Sequence, residues 1–167
     1  MSHLDHKATS PASVACFVLT ISDTRTEQND TSGQTIAKML ETHGHSVTGR
    51  RIVRDDPAAI RHMLGTELGN AATQVIITTG GTGITSRDST YEVVSELIDK
   101  RLDGFGELFR VVSYQEIGPA AMLSRACAGL AAGRIIVALP GSEAAVRLAL
   151  ERLIVPELGH LVAEARR

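Results

Sequence analysis

The residue types best suited to chemistry fall in one stretch, Gly80-Gly81-Thr82-Gly83-Ile84-Thr85-Ser86-Arg87-Asp88. It follows directly on an apolar, β-branched run over residues 75–79. A helical pattern starts near Tyr91. Glycines let a backbone turn sharply and approach a ligand closely. A helix start beyond them adds unpaired N–H groups and a partial positive charge. Gly80, Gly81, Thr82 and Gly83 can therefore cradle an anion or a heterocycle edge, or simply form a tight strand exit. The stretch is no P-loop, because no Gly-Lys-Ser/Thr follows. Nor is it a dinucleotide fingerprint, since Ser86 stands where the last glycine of G-x-G-x-x-G belongs.

Acidic residues punctuate the loops. Asp88 can ligate Mg²⁺ or orient a reacting phosphate; it can equally favour the following helix start together with Ser89 and Thr90. Asp56 precedes Pro57 and reads as a helix cap, whereas Asp55 lies just past a strand and can face a pocket. Ser22 and Asp23 end the first strand, where Asp23 can accept from a heterocycle or form an Asx turn. Glu107, after Gly104-Phe105-Gly106, reads as a solvated helix-start glutamate. Ser124 and Arg125 offer a hydroxyl and a guanidinium to a phosphate, or form a surface pair. Pro140-Gly141-Ser142 is either a plain helix start or a second anion cradle. The six histidines form no cluster, and no Cys or His pair has zinc-site spacing.

The elements that must position these residues alternate. Strands are expected over 13–22, 46–53, 75–79 and 134–139. Helices are expected from a Thr31 or Ser32 cap to about His43, from Pro57 to the Gly69-Asn70 break, from near Tyr91 to about Arg101, and after Ser142. Residues 103–107 read as a turn, residues 127–132 as helix or short edge strand, and Pro156 as the start of a final helix. Such alternation predicts an α/β fold with a mainly parallel sheet. Ligands of these sheets sit at the carboxyl ends of strands. The loops 22–33, 80–88 and 140–142 all lie there and can converge on one pocket.

Composition narrows the classes. A chain of 167 residues with 43% hydrophobic and 22% charged residues suits one soluble domain. A net charge of −2 and 3% aromatics argue against nucleic acid as a partner. No apolar run is long enough for a membrane span. Residues 1–13 are polar and read as a disordered lead-in to a single domain over 14–167. Cys16 and Cys127 sit in apolar settings and are expected to be buried free thiols, with the cytoplasm as the compartment.

Taken in order, Ile21-Ser-Asp-Thr24, Val75 through Asp88, Gly104-Phe-Gly-Glu-Leu-Phe-Arg110, Ser124-Arg-Ala126 and Ala138-Leu-Pro-Gly-Ser142 resemble the MoaB/Mog family of molybdenum-cofactor biosynthesis proteins. The segment 113–118 and the compact length are closer to the MoaB branch. The resemblance implies a three-layer α/β/α molybdopterin-binding fold and homo-oligomers, trimers or hexamers. It implies adenylylation of the terminal phosphate of molybdopterin by Mg-ATP, the product passing to a metal-inserting partner protein. Some MoaB-branch members are of doubtful activity, so the family also allows a pterin-binding paralogue. By position, the resemblance makes Asp88 and Asp55 catalytic, with Mg²⁺ at Asp88. It makes Ser22, Asp23, Gly80, Gly81, Thr82, Gly83, Glu107, Ser124, Pro140, Gly141 and Ser142 substrate-binding.

Overall fold

A computed structural model describes residues 10–167. The elements run β1 (Ala15–Ile21), α1 (Thr31–Thr42), β2 (Ser46–Val53), α2 (Pro57–Leu68), β3 (Val75–Thr79), α3 (Thr90–Leu97), β4 (Lys100–Arg101) and α4 (Asp103–Ile117). After a 3₁₀ turn (Gly118–Leu123) come β5 (Cys127–Ala131), β6 (Arg134–Leu139), α5 (Glu143–Ala149), a π-helical segment (Leu150–Ile154) and α6 (Val155–Ala165). The six-stranded sheet has the order β2-β1-β3-β6-β5-β4. β2, β1, β3 and β6 are parallel, and β5 runs antiparallel to both β6 and β4.

Alternation along the central strands divides the core into two layers. Cys16, Val18, Val75, Ile77 and Val137 pack under α1, α4, α5, the π segment and α6, with Ile36, Leu40, Phe109, Leu150 and Leu158 facing them. Phe17, Leu19, Ile76 and Ile136 point the other way, onto Ile60, Leu64, Val93 and Val94 of α2 and α3. The result is a three-layer α/β/α sandwich, as the family resemblance implies, around the mainly parallel sheet that the alternation predicts. Both cysteines are free and buried, and burial pushes the Cys16 thiol up to about 12.

Several elements differ from the sequence reading. Asp30, not Thr31 or Ser32, caps α1 by accepting from the Gly33 amide. Ser32 is buried and donates instead to the Gly141 carbonyl at 2.6 Å, a bond across the fold that local pattern does not reveal. Residues 103–107 are helix rather than turn. Gly104 has open space around it, while a Cβ on Gly106 would stand 2.9 Å from the Ala126 carbonyl oxygen, so Gly106 lets α4 lie against β5. α3 stops at Leu97, and Lys100–Arg101 form the edge strand; Cys127–Ala131 lies inside the sheet. The final helix is where Pro156 places it, over Val155–Ala165. That proline sits in the first turn of α6, which continues directly from the π segment; a widened turn accommodates a residue that lacks an N–H. Residues 1–9 of the expected lead-in lie outside the described residues. Pro11 lies against α6, its carbonyl oxygen 2.6 Å from where a Cβ on Gly159 would stand.

Candidate functional site

From β1 the chain goes to β2 on one side, then returns to β3 on the other. This reversal opens a crevice at the carboxyl ends of β1 and β3. A cavity of about 490 Å³ opens beside it, lined by Gly80–Gly83, Asp88, Ser124 and Pro140–Ser142 from the loops, and by Phe109 and Ser113 from α4. That volume suits a small organic ligand. A smaller cavity of about 200 Å³ adjoins it, sharing Gly80 and Gly141, and includes Ser22, Arg25 and Asp30. Two of the three loops thus meet in the main pocket, and the 22–33 loop lines the annex.

The backbone of this pocket is polarised. The Gly81 carbonyl accepts from the Thr90 amide at 2.9 Å. The Thr82 carbonyl accepts from Arg125 Nε at 3.0 Å, and the Gly83 carbonyl from Arg125 Nη2. Thr79 Oγ1 donates to the Pro140 carbonyl at 2.8 Å and Ser32 Oγ to that of Gly141 at 2.6 Å. Each of these carbonyls is drawn back into the protein. In a planar trans peptide the N–H of the next residue points the opposite way. Among the described residues, the amides of Thr82, Ile84, Gly141 and Ser142 find no protein acceptor. The rim is therefore a set of outward N–H dipoles, backed by the start of α5, where Ser142 caps by accepting from the Ala145 amide at 3.2 Å. Such a surface attracts anions. Ser124 Oγ, on the same wall, is buried with no hydrogen-bond partner.

Asp88 stands on the wall of the cavity. Its Oδ2 accepts from the Thr85 amide at 2.9 Å and from Thr85 Oγ1 at 2.6 Å. The Thr85 hydroxyl, then the Thr85 and Gly83 amides and the Arg125 charge, hold its carboxyl below the ordinary carboxylate range, against the opposing effect of desolvation. Asp88 is thus ionised at neutral pH. Asp55 lies behind the glycine loop, only 9% exposed, accepting from Ser89 Oγ at 2.9 Å. A Cβ on Gly81 would come within 3.0 Å of its Oδ2. Burial pushes the Asp55 carboxyl up, partly offset by the Ser89 bonds. Asp23 is more exposed. It accepts from Arg87 Nη2 at 2.6 Å and from the Asp55 amide at 3.1 Å, which ties the loops after β1, β2 and β3 together. The Arg87 bond holds its carboxyl down. Glu107 is exposed on α4 and lines neither of these two cavities.

The raised Asp55 pKa carries a stability consequence. A group whose folded pKa exceeds its unfolded value stabilises the fold below the unfolded pKa, and that contribution is lost as pH rises through the folded pKa. At neutral pH the buried charge of Asp55 opposes folding. Asp55→Asn, which still accepts from Ser89, is expected to raise Tm at pH 7 and to lose that advantage near pH 4, read by calorimetry.

Local reading missed the contribution of α4. Phe109 stacks on Phe105, with ring centroids 6.2 Å apart, and closes the pocket floor; as an apolar residue at helical spacing it carried no sign of a ligand. Arg125 does neither of the things local reading offered, a phosphate contact or a surface pair: its guanidinium turns away from the pocket onto the loop carbonyls, the Glu92 carboxylate and the Tyr91 ring.

A doubly wound α/β sandwich with an amide-lined anion pocket at its switch point is the class of protein that these features define. The sequence profile described as "Probable molybdopterin binding domain" matches residues 17–160. The chain is 50% identical over 165 residues to molybdenum cofactor biosynthesis protein B of Halalkalibacterium halodurans, covering 98% of this chain and 97% of that one. A crystal structure of a molybdenum cofactor biosynthesis protein B superimposes with a TM-score of 0.91 at 49% identity, over 95% of this chain and 99% of the other. The tungsten cofactor synthesizing protein MoaB of Pyrococcus furiosus superimposes with a TM-score of 0.86 at 38% identity, over 95% and 100%. The chain belongs to the molybdenum-cofactor biosynthesis family of molybdopterin-binding domains, on its MoaB side.

Proposed function

We propose that this protein binds molybdopterin in the amide-lined pocket and adenylylates its terminal phosphate with Mg-ATP. A phosphate oxygen of molybdopterin attacks the α-phosphorus of ATP. The bond from that phosphorus to the bridging oxygen breaks, and pyrophosphate leaves with the electron pair. The observation that carries this reading is the withdrawal of the five rim carbonyls, which leaves N–H dipoles for phosphate oxygens. Phosphoryl and nucleotidyl transfer depend on positioning and charge neutralisation more than on a covalent nucleophile. Ser124 Oγ and the Gly141 and Ser142 amides can hold a phosphate, and Phe109 supports an apolar ring edge.

The residues fit a magnesium ion brought by the substrate. Among the described residues no group of three or more His, Cys, Asp or Glu gathers as a metal cage. Mg²⁺ commonly binds through one or two carboxylates plus substrate phosphates and water. Asp88, ionised and on the pocket wall, would be its protein ligand; bound there, the ion supplies charge neutralisation on the phosphate oxygens. Asp55 acts from behind Gly81, holding the loop through Ser89. The test is pyrophosphate release from ATP and Mg²⁺ that depends on added molybdopterin. Release independent of the pterin would overturn the reading.

A second reading is a pterin-binding paralogue with little or no turnover. It has one observation in its favour: Asp88 Oδ2 is already engaged by Thr85 twice. Bound molybdopterin without pyrophosphate release would select it.

The proposal extends to assembly. Leu108, Val111 and Tyr114 form a stripe on α4 that is 55%, 55% and 61% exposed, continued by Ile117, Met122 and Leu123. A patch of this kind on a single chain marks an interface. We assign it to homo-oligomers, trimers or hexamers, which would also place Glu107 of α4 at a subunit contact. Val111→Glu is expected to shift the mass measured by light scattering toward the 17.8 kDa single chain. The cytoplasm, and transfer of the product to a metal-inserting protein, belong to the same proposal. Among the described residues no helix is long and apolar enough to cross a membrane.

A further inference from the structure

We propose that Arg125 is a positioning residue: its guanidinium clamps the glycine loop from behind and thereby sets the direction of the loop amides and the place of Asp88. This rests on the adenylyl-transfer reading only for its kinetic consequence. The geometry stands by itself. Arg125 lies 42 residues from Gly83 in the chain, yet its Nε and Nη2 reach the consecutive carbonyls of Thr82 and Gly83. A planar fork can hold two adjacent carbonyls at once; an ammonium cannot reproduce that geometry. With both carbonyls fixed, the following amides, Gly83 N–H and Ile84 N–H, must face away from Arg125. A Cβ on Gly83 would meet Asp88 Oδ2 at 2.5 Å, so the loop and this carboxylate are in direct contact.

The clamp is itself held. Nη1 and Nη2 bind the Glu92 carboxylate on α3. The guanidinium carbon lies 4.9 Å from the centroid of the Tyr91 ring, within cation–π range. The Arg125 side chain is 26% exposed, and its neighbour Ser124 faces the pocket. Consecutive residues thus serve opposite sides of one loop: Ser124 addresses the cavity, and Arg125 fixes the backbone that forms its wall. The neighbouring Arg101 also lies over the Tyr91 ring, at 5.8 Å, but bonds to no loop carbonyl.

The test compares the full chain with Arg125→Met, Arg125→Lys, Glu92→Gln and Arg101→Met. Arg125→Met is expected to lower kcat about 10²-fold, the cost of misplacing reacting groups by about 1 Å, while KM for ATP changes far less. Arg125→Lys should recover only part of kcat, Glu92→Gln should fall between wild type and Arg125→Met, and Arg101→Met should keep wild-type kcat. An independent reading comes from ¹H–¹⁵N spectra without substrate. The Thr82, Gly83 and Ile84 amides are expected to shift and broaden in Arg125→Met, while those of β3 and β6 stay in place. Wild-type kcat in Arg125→Met, or unchanged loop amides, would overturn the inference. So would a kcat loss fully restored by Lys, which would reduce the role to charge. If wild type shows no turnover, the adenylyl-transfer reading has failed, and the clamp is decided by the amide spectra alone.

Discussion

Asp88→Asn is expected to keep the fold and lose adenylyl transfer by roughly 10²-fold or more, the scale on which single electrostatic contributors to a transition state are lost. The isosteric amide retains an oxygen at the position of Oδ2, so it still accepts from the Thr85 amide and hydroxyl. The loop therefore stays closed, and Tm should change little. The charge disappears, and with it the carboxylate that would hold Mg²⁺ against the substrate phosphates. The local bonds hold the Asp88 pKa below its ordinary value. Wild-type activity should thus persist on acidification until the pH reaches that lowered pKa, then fall as the carboxylate protonates. The variant has no such limb. A variant with wild-type kcat would remove Asp88 from the chemistry and leave it as a loop tie.

Gly80→Ala is expected to produce a large loss of stability. Gly80 has φ +98°, and a Cβ there would collide with the backbone carbonyl of Ile21 in β1. Backbone cannot step aside as a flexible side chain can, because Gly80 N–H is also fixed to the Leu139 carbonyl at 3.0 Å. Conformational strain and overpacking together predict a cost of about 4 kcal/mol, or a fall in Tm of about 8–16 °C for a chain of this size. Gly44→Ala, just past the end of α1, is the matched control. Its φ is +83°, and nothing lies within 4 Å of the added Cβ. Only the left-handed strain remains there, roughly 1–2 kcal/mol. Equal losses in the two variants would show that φ alone, and not the close approach of β1 and β3, makes Gly80 necessary.

The contrast between these glycines shows what sequence pattern can carry. The strand Val75–Thr79, the Asp56–Pro57 helix start and the Ser142 cap follow from residue order alone, because strand propensity, fixed proline φ and capping are local. The helix over residues 103–107 was hidden by Gly104 and Gly106, which look like turn residues until β5 is seen packed against Gly106. Likewise Ser32 looks like a cap, and Arg125 like a surface cation. Their partners, Gly141 at a separation of 109 residues and Gly83 at 42, exist only after folding. The pocket was legible in its glycines and in Asp88, which carry their chemistry on the loop itself. Its polarity was not, since that depends on which distant donors withdraw the carbonyls.

The most direct test of the central claim is transfer of label from [α-³²P]ATP to molybdopterin by the purified full chain with Mg²⁺, beside Asp88→Asn. The account predicts labelled adenylylated molybdopterin and one pyrophosphate per transfer from the wild type, with little of either from the variant. Absence of labelled pterin from a wild type that demonstrably binds molybdopterin would contradict it.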